Sequence, residues 1–306
     1  MIPRFFNSLR PTHPVIAGAV VAGLSSGALA QTGPNDEDHS SARLIASKTA
    51  LVAGTTNSLE VVFGVDQGWH LYWDGQNDTG FPPDLAIEWP EGWELRETYL
   101  PIPKRHVAAG DLLDHVLEGN PVFWLSVYIP DDAAGADVSL TGKASWLVCD
   151  EACMLDDESL SLTVPVVPHG TKVEWNPETA IGPTRWDSFP EPSKLAIPTW
   201  IDAAWIGDEV KLRVTGQDHD VWEPGTVLEY YPTAGSARVE NLLAGGRSET
   251  GDMTLRIGDG EAEGTPALRG LIALIRPNGD RTAMWITMDR PDPLSQTKKN
   301  PAKKSP

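Results

Sequence analysis

The chain has 306 residues, 41% of them apolar, which is enough to fill more than one packed core. Asp and Glu number 43 against 24 Lys and Arg, a formal net charge of −19. A field of that sign repels nucleic acid and anionic headgroups, so it argues against nucleic-acid binding and against a membrane-surface role; its simplest consequence is solubility.

Residues 1–14 carry Arg4 and Arg10 and no acidic residue, Val15–Leu24 is an apolar run, and Ala28 and Ala30 form the small-x-small pattern of a signal peptidase site. The run is about half the length of the ~20 apolar residues that a spanning helix needs. Residues 1–30 therefore read as a signal peptide cleaved after Ala30. No cysteine follows that site and no twin-arginine pair precedes the run, so the expected route is the general secretory one, to the periplasm, without stable membrane insertion. Residues 31–45, with Asn35, Asp36, Glu37 and Asp38, read as a flexible leader.

From Ala46 the pattern becomes that of short strands. Leu59, Val61, Phe63 and Val65 share one face. Ser139, Thr141, Lys143 and Ser145 alternate with apolar or small residues over Val138–Val148, and Pro121–Tyr128 and Leu160–Val164 are further candidates. One short helix is expected near Asp111–Leu117. Residues 46–167 then read as a β domain. Pro168, Pro177, Pro183, Pro190, Pro192 and Pro198, with Pro165 just before them, mark a linker over 168–198. Val210, Leu212 and Val214, then Met253, Leu255 and Ile257, then Leu268–Ile275 and Met284–Met288 indicate a second β domain over 199–290, followed by a disordered tail over 291–306. The fold class is all-β, with turns at sandwich-like spacing.

The chain has two cysteines, Cys149 and Cys153, separated by Asp150-Glu-Ala152. In an exported chain an even cysteine count points to a disulfide. Closing so short a loop stabilises little in the chain-entropy view. The pair also follows the strand residues Trp146-Leu-Val148, where the backbone must turn tightly, and strained or exposed disulfides are the ones that exchange. Asp150 and Glu151 disfavour thiolate between the sulfurs, which slows the reduced pair toward unselected partners. Two other readings stand beside exchange. One is a small structural staple. The other is a copper site, with Cys149, Cys153 and Met154 as soft ligands for Cu(I); two cysteines do not make the four-ligand set of a structural zinc site.

His70 and Tyr72 lie in an aromatic segment, Trp69–Phe81, that reads as a loop shielding the sulfurs. Trp69, Trp73 and Trp146 read as core. His106 and His115 read as solvated surface histidines. Asp74, Asn77 and Asp78 read as turn formers, with calcium ligation as the alternative. The chain has no Gly-rich phosphate loop, no His-Glu-x-x-His and no Gly-x-Ser-x-Gly, so hydrolase and nucleotide chemistry have no support.

Four blocks, Gly68-Trp-His-Leu-Tyr-Trp-Asp-Gly-Gln-Asn-Asp-Thr-Gly-Phe-Pro-Pro83, Ile87-Glu-Trp-Pro-Glu-Gly-Trp93, Pro101-Ile-Pro-Lys-Arg105 and Trp146-Leu-Val-Cys-Asp-Glu-Ala-Cys153, resemble in order and spacing the N-terminal periplasmic domain of the thiol:disulfide interchange protein DsbD family, in particular the branch that includes the suppressor-of-copper-sensitivity protein B. The resemblance covers about residues 46–167. The second β region looks like the further immunoglobulin-like unit of that branch. What the resemblance implies is two immunoglobulin-like β-sandwiches in tandem, the first carrying Cys149 and Cys153 as a redox pair. In the family such a pair receives reducing equivalents from a membrane-embedded domain through a thioredoxin-like domain and passes them to oxidised periplasmic proteins. No cofactor is implied. Neither relay domain is present in this sequence, so the expected partners are a separate membrane-embedded thiol reductase and periplasmic thioredoxin-like or substrate proteins. The alternative is a non-enzymatic binding or copper-handling protein.

Overall fold

The structure, a computed structural model, describes residues 38–180, 198–215, 222–258 and 268–290. The expected signal peptide, the first part of the leader, residues 181–197 of the linker and the tail lie outside the described residues.

Eleven strands occupy the first region: β1 (Ser40–Ala46), β2 (Leu51–Val52), β3 (Thr55–Val65), β4 (Leu71–Tyr72), β5 (Asp84–Glu88), β6 (Glu94–Tyr99), β7 (Lys104–Ala108), β8 (Leu112–Leu117), β9 (Val122–Ile129), β10 (Asp137–Cys149) and β11 (Cys153–Val167). They form two four-stranded sheets, ordered β1-β3-β9-β6 and β2-β11-β10-β5, and a small third sheet ordered β4-β8-β7. Leu59, Val61 and Phe63 of β3 meet Leu140, Ala144, Trp146 and Val148 of β10 in one buried cluster between the large sheets. Period-two alternation on both sheets is what makes this sandwich: the facing strands turn one apolar file inward, while Ile45, Val62 and Val122 form a smaller apolar cluster on the outer face of the first sheet.

The second region holds β12 (Ile201–Ile206), β13 (Glu209–Val214), β14 (Val227–Pro232), a four-residue helical turn α1 (Leu242–Gly245), β15 (Arg247–Ser248), β16 (Asp252–Arg256), β17 (Leu268–Ile275) and β18 (Arg281–Met288). A three-stranded sheet, β12-β13-β16, faces a four-stranded one, β15-β14-β17-β18. Val210, Leu212, Leu255, Tyr230, Ile272 and Ile286 fill the space between them. The all-β expectation of two sandwiches therefore holds.

The four-stranded sheet of the second sandwich is buried on both faces. Leu228 and Tyr230, Ile272 and Leu274 point into its own core. On the opposite face Tyr231, Leu271, Ala273 and Ala283 join the cluster that contains Leu71, Trp73 and Leu117 of the first sandwich. That double burial explains why Leu268–Ile275 is a nearly unbroken apolar run rather than an alternating one. The exchange is mutual, since Leu113 of β8 packs into the core of the second sandwich. A polar seam runs through the same face. Buried Glu229 accepts from the Tyr231 hydroxyl and from Arg247 Nη1 at 3.1 Å, while Arg281 Nη2 donates to the Tyr231 oxygen at 2.6 Å. A carboxylate held by such donors tolerates removal from water.

Three expectations are corrected. Residues 40–45 are not leader: Ala42, Leu44 and Ala46 are an inward file of β1, paired with β3 from Ser40↔Val65 to Ala46↔Leu59. Asp111–Leu117 is not helical. It is the turn into β8, whose residues Leu113–Leu117 are all buried: Leu113 and Leu117 on one face pack into the second and the first core, and Asp114 on the other face is covered by residues 78 and 79, which erases the alternation. Residues 168–180 do not leave as a free linker. Thr49 N–H donates to the Glu174 carbonyl at 3.0 Å, Asn176 N–H to that of Ser47 at 3.0 Å, and Ala180 N–H to the buried carboxylate of Glu60 at 2.8 Å. Pro165 ends up inside β11, opposite Asp137 at the very start of β10, where its missing N–H interrupts little.

His115, expected at the surface, is fully buried between Trp73 and Tyr231, at ring-centroid distances of 6.5 and 5.3 Å. Burial, followed by the charge of Arg105, pushes its pKa from 6.5 down to about 3, against a smaller opposing influence of the Gln76 backbone. The folded chain thus keeps this imidazole neutral where the unfolded chain protonates it. The unfolded state binds the extra proton below pH 6.5, so stability is full above that pH and declines as pH falls toward 3. Thermal unfolding measured from pH 8 to pH 5 should show a falling midpoint, and His115→Phe should flatten that slope; equal slopes in the two proteins would contradict the assignment.

Candidate functional site

The β10–β11 hairpin carries both sulfurs at its tip. Its residues pair one for one from Asp137↔Pro165 to Cys149↔Cys153, and the last pair is closed by a disulfide. The hairpin is anchored below the tip by Trp146, whose ring is fully buried edge-on to Phe63 at 5.2 Å and whose Nε1 donates to Ser40 Oγ at 2.8 Å. Asp150 shapes the connecting turn, because its carboxylate accepts the backbone N–H of Glu151 and, at 3.1 Å, that of Ala152. Glu151 is exposed on that turn. The two sulfur-bearing residues differ in access: Cys149 is 1% exposed, whereas Cys153 lies at the surface.

A second wall comes from β4. His70, just before that strand, exchanges both backbone hydrogen bonds with Cys149, at 2.9 and 3.0 Å. Residues paired in this way project their side chains to the same face, and so does the residue two further on. That puts Tyr72 on the disulfide: its hydroxyl lies 3.3 Å from Cys149 Sγ and 3.5 Å from Cys153 Sγ. His70 stands edge-on to Tyr72 at 5.5 Å, and its ring lies 4.8 Å from that of His106. His106 is therefore part of the site rather than an isolated surface residue.

The loop from Trp73 to Pro83 closes over this wall. It is held by Asp114 of β8, which is nearly fully buried. The Asp114 carboxylate accepts the N–H groups of Asp78 and Thr79 at 2.9 and 3.0 Å and the Thr79 hydroxyl at 2.6 Å. Asp78 returns the contact by accepting the Leu113 N–H at 2.7 Å, and Asn77 accepts that of His115 at 2.8 Å. Asn77 and Asp78 thus act as loop formers, with their side-chain oxygens taken up by backbone amides. Gly80 sits flat on the Tyr72 ring, where a Cβ would fall 2.2 Å from its carbon atoms, so only glycine fits.

This geometry sets out a chain of hydroxyls. The Thr79 proton goes to Asp114, which leaves Thr79 Oγ1 as an acceptor 3.0 Å from the Tyr72 oxygen. The Tyr72 proton is then shared between Thr79 and the sulfurs. A thiolate formed at Cys149 is the strongest acceptor of these, because hydrogen bonds to ionised groups are the strong ones. Burial raises the Tyr72 pKa above its usual 10.0, which keeps the phenol protonated as a donor. Burial, and then His106, lower the His70 pKa below 6.5 against the opposing charges of Asp114, Glu118 and Asp150, so His70 is neutral near pH 7.

Of the residues singled out in the sequence, Cys149, Cys153, His70, Tyr72 and Asp150 converge within this tip, with Glu151 at its edge. Met154 does not join them: it packs against the sandwich core. The Cu(I) alternative finds no support, since both cysteines are consumed in the disulfide and no group of three or more His, Cys, Asp or Glu is arranged for a metal among the described residues. Thr79 and Asp114 were not singled out. An acid at an inward position of the run Leu112-Leu-Asp-His-Val-Leu117 was the available signal for Asp114.

A family model described as the N-terminal region of thiol:disulfide interchange protein DsbD matches residues 41–165. Residues 41–165 form a DsbD-like N-terminal domain. Among solved structures, the N-terminal periplasmic domain of ScsB from Proteus mirabilis is 15% identical, covers 85% of this chain and 97% of its own, and superposes with a TM-score of 0.51. At that identity the likeness is one of fold, and it extends over both sandwiches. The DsbD N-terminal domain of Neisseria meningitidis in the reduced form is 9% identical over 44% of this chain and 88% of its own, with a TM-score of 0.27. No curated protein matches the chain. The DsbD-like domain and its Cys149–Cys153 pair support thiol–disulfide exchange as the general chemistry. Among the described residues no helix is long and apolar enough to cross a membrane.

Tyr72→Phe keeps the ring that Gly80 packs on and removes the hydroxyl that meets the sulfurs and Thr79. Reduction of the Cys149–Cys153 disulfide by dithiothreitol should slow by about tenfold in this variant, the order expected for losing one hydrogen bond to a charged group. An unchanged rate would mean that the phenol does not assist the departing sulfur.

Proposed function

We propose that this chain is an exported thiol–disulfide exchange protein that carries reducing equivalents between a membrane-embedded thiol reductase, separate from these 306 residues, and oxidised proteins of the periplasm. The observation that carries this reading is the asymmetry of the pair: an exposed Cys153 bonded to a buried Cys149 that lies under the Tyr72 hydroxyl. The signal-peptide pattern of residues 1–30 and the periplasmic domain named for the fold relative support the compartment.

The exchange runs as follows. A partner thiolate attacks Cys153 Sγ, the accessible sulfur. A bond forms between the partner and Cys153, the Cys149–Cys153 bond breaks, and Cys149 leaves with the electron pair as a thiolate that accepts the Tyr72 O–H. The partner's second thiol then attacks the mixed disulfide and releases Cys153, leaving the partner oxidised and the pair reduced by two electrons. The reverse sequence reduces an oxidised protein. Leu155 supports docking of a macromolecular partner: it follows Cys153 by two residues on the same strand face and is 73% exposed, an apolar side chain that a protein surface would cover. Thioredoxin-like proteins suit the role of partner, as is general for the DsbD N-terminal family.

Equilibrating the pair against glutathione buffers and trapping free thiols measures its reduction potential. A value between about −120 and −270 mV, the range of exchange catalysts, is expected. A value below about −300 mV would mark a structural staple and refute the carrier. Cys149→Ser and Cys153→Ser should each abolish exchange while leaving the thermal unfolding transition cooperative; an unfolded Cys149→Ser protein would favour the staple instead.

A further inference from the structure

A hydroxyl has one proton to give. That of Thr79 is committed: Asp114, 2% exposed, accepts it at 2.6 Å while also holding the Asp78 and Thr79 N–H groups. Thr79 Oγ1 therefore meets Tyr72, 3.0 Å away, as an acceptor. Tyr72 also has one proton, and three acceptors surround it: Thr79 Oγ1 at 3.0 Å, Cys149 Sγ at 3.3 Å and Cys153 Sγ at 3.5 Å. One proton cannot fully serve both an oxygen and a sulfur.

Which acceptor wins depends on whether the sulfur of the reduced pair is ionised. A thiol sulfur is a weak acceptor, so beside a protonated Cys149 the Tyr72 proton goes to Thr79. A thiolate is a charged acceptor, and charge-assisted hydrogen bonds are the stronger ones, so ionisation of Cys149 draws the proton to sulfur and the bond to Thr79 is given up. The Tyr72–Thr79 bond thus belongs to the thiol form alone. A hydrogen bond made only in the protonated state of a group resists loss of its proton.

We propose that Thr79, its own proton fixed by Asp114, is a positioning residue that competes with Cys149 for the Tyr72 proton and so sets how readily this buried sulfur ionises. The proposal rests on the exchange reading above. In that cycle Cys149 departs as a thiolate, and in the reverse direction only its thiolate re-forms the disulfide, so the competition moderates both steps. The other titratable groups around Cys149 and Tyr72 are His70 beside β4, His106 of β7, Glu118 just after β8, and Asp150 and Glu151 of the turn. They stay in place when Thr79 alone is changed, so a comparison of Thr79 variants isolates the competition.

The test follows the Cys149 thiol of the reduced whole chain through the chemical shift of its Cβ as pH is raised. Thr79→Val removes the acceptor and keeps the backbone N–H that Asp114 holds. Its Cys149 acid dissociation constant should be about tenfold larger than the parent's, the order of one hydrogen bond lost from one state, and Thr79→Ser should restore the parent value. In Tyr72→Phe the constant should fall, because the thiolate loses its donor. Adding Thr79→Val to Tyr72→Phe should then change nothing, since no proton remains to compete for. An unchanged constant in Thr79→Val overturns the proposal. So does an equal rise in the Tyr72→Phe background, which would assign the effect to altered packing. Amide protection across β3 and β10 shows that each variant keeps its fold. The reduction potential of the parent reports on exchange separately: a value below about −300 mV alongside the Thr79→Val shift would sink the carrier and leave the competition standing.

Discussion

A reactive bond at the end of a β-hairpin is only as well placed as the ladder beneath it. Here the ladder between β10 and β11 is in register over all thirteen residues of β10, without a bulge, and is rooted by Trp146, Ala144 and Leu140 in the core of the sandwich. A slip of one residue would turn Trp146 to solvent and separate the two cysteines across the strand pair. Everything else at the site is arranged around that fixed tip. His70 pairs with Cys149, Tyr72 reaches the sulfurs from the adjoining strand, and the loop lies on Tyr72.

The environment divides the two sulfurs by access and by hydrogen bonding. Cys149 is enclosed and has a phenol donor nearer to it, whereas Cys153 meets solvent on a turn shaped by Asp150. The carboxylate that orders the hydroxyls, Asp114, stands three hydrogen bonds away from sulfur and reaches it through Thr79 and Tyr72.

The strands that alternate were legible as strands. Leu59–Val65 and Val138–Val148 lie in β3 and β10, because in each every second residue faces the sandwich core. The segments that misled were those buried on both faces. Leu112–Leu117 lost its period-two signature because β8 is covered on one face by the two cores and on the other by the loop held on Asp114, and His115 in its middle was taken for a surface residue on the same account. The cysteine pair and its aromatic neighbours were legible from spacing and residue type. Asp114 and Thr79 were not, since a carboxylate and a hydroxyl are ordinary in any sequence. Their roles come from a contact between residues 35 positions apart, which no local pattern carries.

The sheet of β14, β17 and β18 serves as the inner wall of one sandwich and the outer wall of the other. This constrains how a chain of this kind is inherited. Modules that touch only through a flexible tether can be shuffled among genes, each carrying its solvent-facing surface with it. Recombination between residues 167 and 199 would instead strand Tyr231, Leu271 and Ala273 in water and leave Trp73 and His115 without a covering, so the two halves are bound to change together, substitution by compensating substitution, along their common wall.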